Sequence, residues 1–203
     1  YGPFVDRVYQ QWNMNSGSPV LHSDFTVMVP TGYELNYQNR GTDTKPQIEE
    51  RDEFTCYSWI TQDLPSIKPE TSMPPYGDIT ERIYVSSIAG WQDIAAWYQQ
   101  VTHNKTEVNY EVKEVVDELL ATSDSLSAGD KVKLVYDYIT ENITYSNVSF
   151  RQSSYIPQTA RDVLKTRIGD CKDVSTLCIA MLREMGVNAW YTLINTRSAG
   201  QQK

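Results

Sequence analysis

The sequence predicts an α+β fold, in which a β-sandwich-like module precedes a helix-rich second domain. Short alternating apolar runs, separated by turn-forming residues, fill the first part of the chain, as in small all-β modules. After Ser86-Ser87 the apolar residues recur at the spacing of amphipathic helices. The 203 residues suffice for two separate cores. We therefore predict a β-rich module at 1–86 and a second domain at 87–203.

Four segments of the N-terminal module have the alternation of half-buried strands. Residues 25–29 alternate between two faces, and Pro30-Thr31-Gly32 ends the run as a turn. Residues 33–37 alternate next, so the two runs are predicted to form a hairpin. Further strands are predicted at 54–59 and around 83–85. The polar stretches between the strands are predicted to be loops: residues 36–46 and 65–75.

Five helices and one strand are predicted in the second domain. The helices are expected at residues 91–101, 108–120, 132–143, a short segment after Thr159, and 171–185. Ser127 and Asp130 have the spacing of a capping box, and Gly186 suits the residue that ends the last helix. Residues 187–196 are predicted to form a strand. A lone strand needs neighbours to pair with, and this favours a second domain that continues beyond Lys203.

Composition excludes several classes of function. The formal net charge of −8 disfavours binding to nucleic acid or anionic lipid. Three cysteines without Cys-x-x-Cys or histidine-rich spacing indicate neither a disulfide framework nor a zinc site, and no cofactor is predicted. Cys56 and Cys178 are expected to be small buried residues. No stretch approaches the roughly 20 apolar residues of a membrane-spanning helix.

The strongest candidate for chemistry is Cys171. It follows Gly169-Asp170 and begins a predicted helix, where exposed N–H groups and the helix dipole favour a thiolate. A cysteine nucleophile needs a base, most often histidine, and no histidine follows it. His22 and His103 lie upstream, and we expect neither to be that base. On the residues alone, the favoured explanation of Cys171 is a small residue that closes a helix start.

The neighbours of Cys171 have structural explanations of their own. Asp170 is a natural N-cap, and Asp173 completes a capping box with it. The two acidic side chains would oppose a thiolate, whereas Lys172 would favour one. Gly169 is predicted to occupy a turn that requires positive φ. We assign Gly169, Asp170, Lys172 and Asp173 as residues that support the site around Cys171.

Several segments together resemble the transglutaminase-like superfamily, whose members share a papain-like fold. Gly169-Asp170-Cys171-Lys172-Asp173 is similar to the nucleophile motif of that family. The remaining similarity lies in residues 90–98, 135–145, 157–164 and 182–189. The N-terminal module resembles the domain of unknown function that precedes this core in bacterial proteins (DUF3857-like), on residues 25–32, 57–59 and 75–87.

The resemblance implies a Cys-His-Asp triad that performs acyl transfer at amide carbonyls, with Cys171 as the nucleophile. The family's histidine and aspartate lie further along than Lys203, so the chain is expected to be truncated at its C-terminal end and to be inactive alone. Its start is expected to lie inside the N-terminal module. Peptidase or amidase action is favoured over cross-linking, although the nucleophile motif does not distinguish water from an amine as acceptor.

An oxyanion hole would need the Cys171 backbone N–H and one more donor. Tyr145, Asn147 and Tyr155 are candidates, and each is equally suited to packing or to substrate binding. The partner implied is a peptide or protein substrate, with no nucleic acid. Self-association through the truncated core is also expected. By resemblance the protein is bacterial and secreted, periplasmic or membrane-attached. The alternative is a binding or scaffolding protein with a degenerate transglutaminase-like fold and an inert Cys171.

Overall fold

A computed structural model of the chain describes residues 9–121, 125–146 and 155–194. The chain divides into two compact units, which among the described residues comprise 9–93 with Ile194 and 94–193. Each unit has its own hydrophobic core, and the two cores have no residue in common. None of the helices among the described residues is long and apolar enough to cross a membrane.

The N-terminal unit contains strands β1 to β6 and one short helix. Their bounds are β1 Tyr9–Asn13, β2 Val20–Pro30, β3 Asn36–Arg40, β4 Gln47–Arg51, β5 Phe54–Leu64, α1 Tyr76–Ile79 and β6 Arg82–Ser86. They form two antiparallel three-stranded sheets, ordered β1-β6-β3 and β2-β5-β4. Val29 and Trp59 of the second sheet and Ile83 and Val85 of the first are fully buried in a shared core. Strands followed by helices confirm the predicted α+β class.

The predicted hairpin between residues 25–29 and 33–37 is wrong. The first run lies within β2, which pairs along its length with β5, as in Val27 opposite Tyr57. Gly32, with φ of 84°, turns the chain after β2. The chain then enters the other sheet, where β3 pairs with β6. The predicted strands around 54–59 and 83–85 are confirmed as parts of β5 and β6.

Strand β3 lies where a polar loop was predicted, and β4 was not predicted at all. Residues 36–46 include β3, and β4 follows directly after them. Every residue of β4 is exposed, and the strand pairs only with β5 at the edge of its sheet. A charged, exposed edge strand protects a sheet from pairing with other chains. That same polarity removes the apolar alternation by which a strand is recognised in sequence.

The five helices predicted after Ser87 are all present. The bounds are α2 Trp91–Thr102, α3 Tyr110–Leu120, α4 Ala128–Asn142, β7 Thr144–Tyr145, α5 Ala160–Thr166, β8 Ile168–Gly169 and α6 Cys171–Glu184. The capping box of Ser127 and Asp130 is formed, and Thr159 caps α5 by accepting a hydrogen bond from the Asp162 backbone N–H. Gly186, with φ of 78°, follows the end of α6.

Helix α6 is the central element of the helical unit. It packs against α3, α4 and α5 and contributes Leu177 and Met181, both fully buried, to the core. Val116 of α3, Val135 of α4 and Val163 of α5 are buried in the same cluster. The residue that begins α6 is therefore held on a helix whose opposite face is fixed by the core.

The strand predicted at residues 187–196 is wrong for the part that the structure describes. Residues 187–194 follow α6 without regular secondary structure. The Arg183 guanidinium donates to the Ala189 carbonyl from Nε at 3.0 Å and from Nη2 at 2.8 Å. A side chain thus satisfies a carbonyl that a sheet would have paired. Residues 195–196 lie outside the described residues.

Candidate functional site

A turn between α5 and α6 carries the candidate nucleophile. Helix α5 ends at Thr166, and its C-cap residue Arg167 has a left-handed φ of 58°. The two-residue strand β8 follows and pairs in parallel with β7, placing Tyr145 opposite Gly169. The Ser146 N–H donates to the Gly169 carbonyl at 3.0 Å. The backbone immediately before Cys171 is thereby fixed by a neighbouring strand.

The predicted reason for glycine at position 169 is wrong. Its φ is not among the positive values, which fall instead at Arg167 in this turn. A Cβ built on Gly169 would lie only 2.8 Å from Cβ of Asp173, closer than two such atoms can approach. The glycine is required because the turn passes directly against the Asp173 side chain.

The start of α6 is a complete capping box, as predicted. The Asp170 carboxylate accepts the backbone N–H groups of Lys172 at 3.1 Å and Asp173 at 3.3 Å, and Asp173 accepts the Asp170 N–H in return. Cys171, the first residue of the helix, is exposed. A rigid helix start therefore presents this thiol to solvent.

Asp173 does more than complete the cap. Its side chain is buried, and the residue is 6% exposed. Its carboxylate accepts the Gln158 backbone N–H at 2.7 Å and the Gln158 side-chain amide at 2.9 Å. Asp173 thus links the segment before α5 to the helix start. Gln158 lies inside a segment that resembled the family, but sequence spacing did not indicate this partnership.

Lys172 is held by Asp170 rather than left free to act on the thiol. Its ammonium forms an ion pair with the Asp170 carboxylate, and both side chains are largely shielded from solvent. The charge that was expected to favour a thiolate is therefore balanced by the neighbouring acid.

Two tyrosines that sequence analysis did not single out lie beside the start of α6. The rings of Tyr98 and Tyr191 meet edge to face, with centroids 5.3 Å apart. The Tyr191 and Thr176 hydroxyl oxygens are 2.7 Å apart, and Thr176 donates its own proton to the Lys172 carbonyl. Tyr191 must therefore be the donor to Thr176, because the threonine has one proton to give.

The pKa of Tyr98 is strongly perturbed. Burial raises it to about 12, with further contributions from Tyr191, then from Cys171, Asp170 and Asp173. Three of these four groups stand in the first turn of α6. The tyrosine could have been suspected from the similarity of residues 90–98 to the family, but its proximity to Cys171 is a tertiary property.

Of the residues predicted for the oxyanion hole or substrate cleft, the two that the structure describes have different neighbours. Tyr145 lies in β7 beside Gly169 and is 59% exposed. Tyr155 is 54% exposed, and its ring lies edge-on to Trp97 at a centroid distance of 6.4 Å. Asn147 lies outside the described residues. The structure thus brings Tyr145 close to the nucleophile turn and groups Tyr155 with an aromatic side chain of α2.

The histidines and the other cysteines have local roles. His22 pairs with Asp24 two residues away in β2, and His103 lies 3.1 Å from the Gln100 carbonyl oxygen just after α2. Cys56 is buried, and Cys178 is partly buried, which raises the pKa of its thiol. Across the described parts of the chain, no cluster of three histidine, cysteine or acidic residues could hold a metal ion.

Two family models match parts of the chain. Residues 113–201 match the family model of the transglutaminase-like superfamily, and residues 2–68 match that of the domain of unknown function DUF3857. The resemblance inferred from the sequence is thereby confirmed. The first match includes Cys171 and the whole of α6.

A solved structure has the same fold over most of the chain. It is the crystal structure of a "putative protease" from Parabacteroides distasonis ATCC 8503, with a TM-score of 0.74 and 19% sequence identity. The match covers 90% of this chain but only 35% of that protein, so the chain spans about a third of its length. The comparison with curated proteins found no match.

Proposed function

Because the chain carries a transglutaminase-like domain together with a DUF3857 domain, we propose that it is part of a cysteine enzyme acting on amide bonds. The observation that carries the proposal is the exposed thiol of Cys171 on the first residue of α6. The Cys171 thiolate attacks the amide carbonyl carbon, and the amine leaves with a proton to give a thioester. Water then releases the acid and restores the thiol.

Several contacts support this role for Cys171. Asp170 and Asp173 fix the start of the helix, and Gly169 permits the close packing that this requires. Peptides are the proposed substrates, a choice supported by the name of the Parabacteroides protein. Hydrolysis is favoured over transfer to an amine, as expected from the sequence.

We propose that the histidine and aspartate of the triad come from outside this sequence. His22 contacts Asp24 on its own strand and Gln62 on β5, and His103 contacts the Gln100 carbonyl oxygen. The chain should therefore undergo a single modification at Cys171 without turning over. Sustained hydrolysis of a peptide by this chain alone would contradict that assignment.

Thiol labelling tests the nucleophile. Iodoacetamide at neutral pH should modify Cys171 faster than Cys178, whose burial both blocks access and raises its pKa. Peptide mapping by mass spectrometry would give the two rates in one sample, and Cys171→Ser provides the control for assignment. If Cys171 reacts no faster than Cys178, the binding or scaffolding function is the better explanation.

Two further expectations are kept as proposals. Trp190 and Leu193 in the segment after α6 are 72% and 52% exposed, and such apolar exposure favours self-association with a second copy. Light scattering across a concentration series would detect a dimer, and a monomer at all concentrations would contradict it.

A secreted or periplasmic location is proposed from the family resemblance, and fractionation of the source cells would test it.

A further inference from the structure

The hydroxyl group of Tyr98 has no partner in the part of the chain that the structure describes. The residue is 8% exposed, yet none of the described residues is hydrogen-bonded to its phenolic oxygen. The oxygen is also absent from the fully enclosed unpaired polar atoms, so it keeps contact with solvent. Buried tyrosines usually satisfy this group within the protein. The hydroxyl group can therefore donate a hydrogen bond to a ligand bound beside it.

The ring of Tyr98 lies beside helix α6, through its contact with Tyr191. Tyr98 packs edge-on to Tyr191, and the Tyr191 hydroxyl is anchored to Thr176 in the second turn of the helix. Tyr191, and after it Cys171, Asp170 and Asp173 at the start of the helix, add to burial in raising the pKa of the Tyr98 phenol. The carboxylate of Asp173 is already occupied by Gln158, which leaves the phenol available to a substrate.

We propose that the Tyr98 hydroxyl is a donor of the oxyanion hole, acting with the Cys171 backbone N–H on the carbonyl oxygen of the substrate. This inference rests on the proposed function, because it requires Cys171 to attack a carbonyl. As the sulfur–carbon bond forms, the carbonyl π electrons move to oxygen. The negative charge is then stabilised by the two donors until the leaving group departs with the C–X electron pair.

The phenol is suited to this role across the working pH range. Because burial raises the pKa of Tyr98 to about 12, the hydroxyl remains protonated at neutral and mildly alkaline pH. Tyr145 and Tyr155, the donors expected from the sequence, are more than half exposed. A donor in a shielded position stabilises charge more strongly than one in open solvent.

Two reagents separate an oxyanion donor from a residue that supports the thiol. The ester p-nitrophenyl acetate acylates a thiolate through a tetrahedral oxyanion and releases p-nitrophenolate. Iodoacetamide alkylates the same thiolate by direct displacement of iodide and forms no oxyanion. Both reactions stop after one modification of Cys171, so neither needs the rest of a triad. Rates at Cys171 would be followed by peptide mapping of the full chain.

The informative variant is Tyr98→Phe, which keeps the ring contact with Tyr191 and removes only the unpaired hydroxyl. We expect acylation to slow by roughly 10²-fold, the usual effect of losing one oxyanion donor, while alkylation keeps the wild-type rate. Tyr136→Phe is the matched control because Tyr136 is 65% exposed on α4, and both of its rates should be unchanged.

The outcomes distinguish this inference from the proposed function. An unchanged acylation rate in Tyr98→Phe overturns the oxyanion role alone. An equal loss of both rates also overturns it, because Tyr98 would then act on the thiol or on the fold. If the wild-type chain shows no acylation at Cys171 above that at Cys178, the nucleophile assignment fails, and this inference fails with it.

Discussion

At the scale of single residues, Asp173 is the side chain on which the candidate site most depends. It is buried and accepts N–H groups from Gln158 and Asp170. Asp173→Asn would turn one oxygen into a donor that faces other donors. We expect a loss of about 1–3 kcal/mol in the free energy of unfolding, the usual cost of an unsatisfied buried polar group. Urea unfolding followed by circular dichroism would measure it.

Asp170→Asn is the matched control for that change. Asparagine is as good an N-cap as aspartate, and the ion pair to Lys172 is the main interaction lost. We expect this variant to lose less stability than Asp173→Asn, because asparagine keeps the N-cap hydrogen bonds and the Lys172 ammonium retains some access to water. Equal losses in the two variants would show that Asp173 acts only as part of the cap.

Tyr98 gives the chain a specific dependence on alkaline pH. Its pKa is raised to about 12 in the folded state from the ordinary value of about 10. The folded state therefore holds the proton more tightly, and this contribution to stability is complete below pH 10 and is lost as pH rises towards 12. Tyr98→Phe should remove the part of the alkaline decline in the free energy of unfolding that comes from this residue.

Absorbance of the phenolate at alkaline pH measures this titration directly. The wild-type chain should show a titration near pH 12 that is missing from Tyr98→Phe and kept in Tyr136→Phe, while the raised pKa of Tyr191 is common to all three proteins. Unfolding by urea at several pH values between 9 and 11 would give the matching change in stability. Identical alkaline titrations of the wild-type and Tyr98→Phe proteins would refute the assignment.

What the sequence revealed at this scale follows from local chemistry. Cys171 and the capping box of Asp170 and Asp173 are neighbours along the chain, so spacing alone identified them. Gln158 and Tyr98 join the site only through tertiary contacts, one to a carboxylate 15 residues later and one across a ring contact to Tyr191. No pattern along the chain encodes those distances.

At the scale of elements, two glycines at helix starts have opposite expected effects. Gly129 lies in the first turn of α4, where an added Cβ meets nothing closer than 3.7 Å. Gly129→Ala should stabilise the protein by about 0.5–1 kcal/mol because alanine loses less backbone entropy in a helix. Gly169→Ala should instead destabilise it by about 1–3 kcal/mol, because its Cβ would overlap Asp173.

Thermal unfolding of the two variants tests both predictions, a higher melting temperature for Gly129→Ala and a lower one for Gly169→Ala. The comparison is informative because each change adds the same methyl group and only the surroundings differ. A stable Gly169→Ala protein would mean that Asp173 can move aside, and the argument for a rigid helix start would then be lost.

Prediction from sequence succeeded for elements with a buried stripe and a local stop signal. Helices α4 and α6 have both, in the capping boxes and in Gly186. It failed for β4, whose residues are all exposed, and for the pairing of β3. Which sheet a strand joins depends on partners distant in sequence, and alternation carries no information about them. The segment after α6 has the composition of a strand but is held by Arg183 instead.

At the scale of the whole molecule, the two hydrophobic cores are built from different residues. One is built from strands β2, β5 and β6, and the other from helices α3 to α6. The sequence predicted this division from the change of periodicity near Ser87, because each half has enough apolar residues for its own core. The exact boundary at Ser86–Ser87 stays a prediction.

Separate cores predict that a cavity in one unit leaves the stability of the other unchanged. Leu177 of α6 is fully buried in the helical core, and Leu177→Ala should cost about 2–5 kcal/mol there. Hydrogen exchange measured by mass spectrometry reports opening segment by segment. We expect faster exchange in α3, α4 and α6 and no change in β2 and β5.

Ile83→Ala is the matched substitution in the other core, since Ile83 is equally buried in β6. It should give the reverse pattern, with faster exchange in the strands and an unchanged exchange rate in α6. If either variant accelerates exchange in both units, the two cores unfold as one cooperative structure. Helix α6 would then draw its stability from the strand unit as well as from its own core, and damage to the sheets would be expected to reduce the reactivity of Cys171.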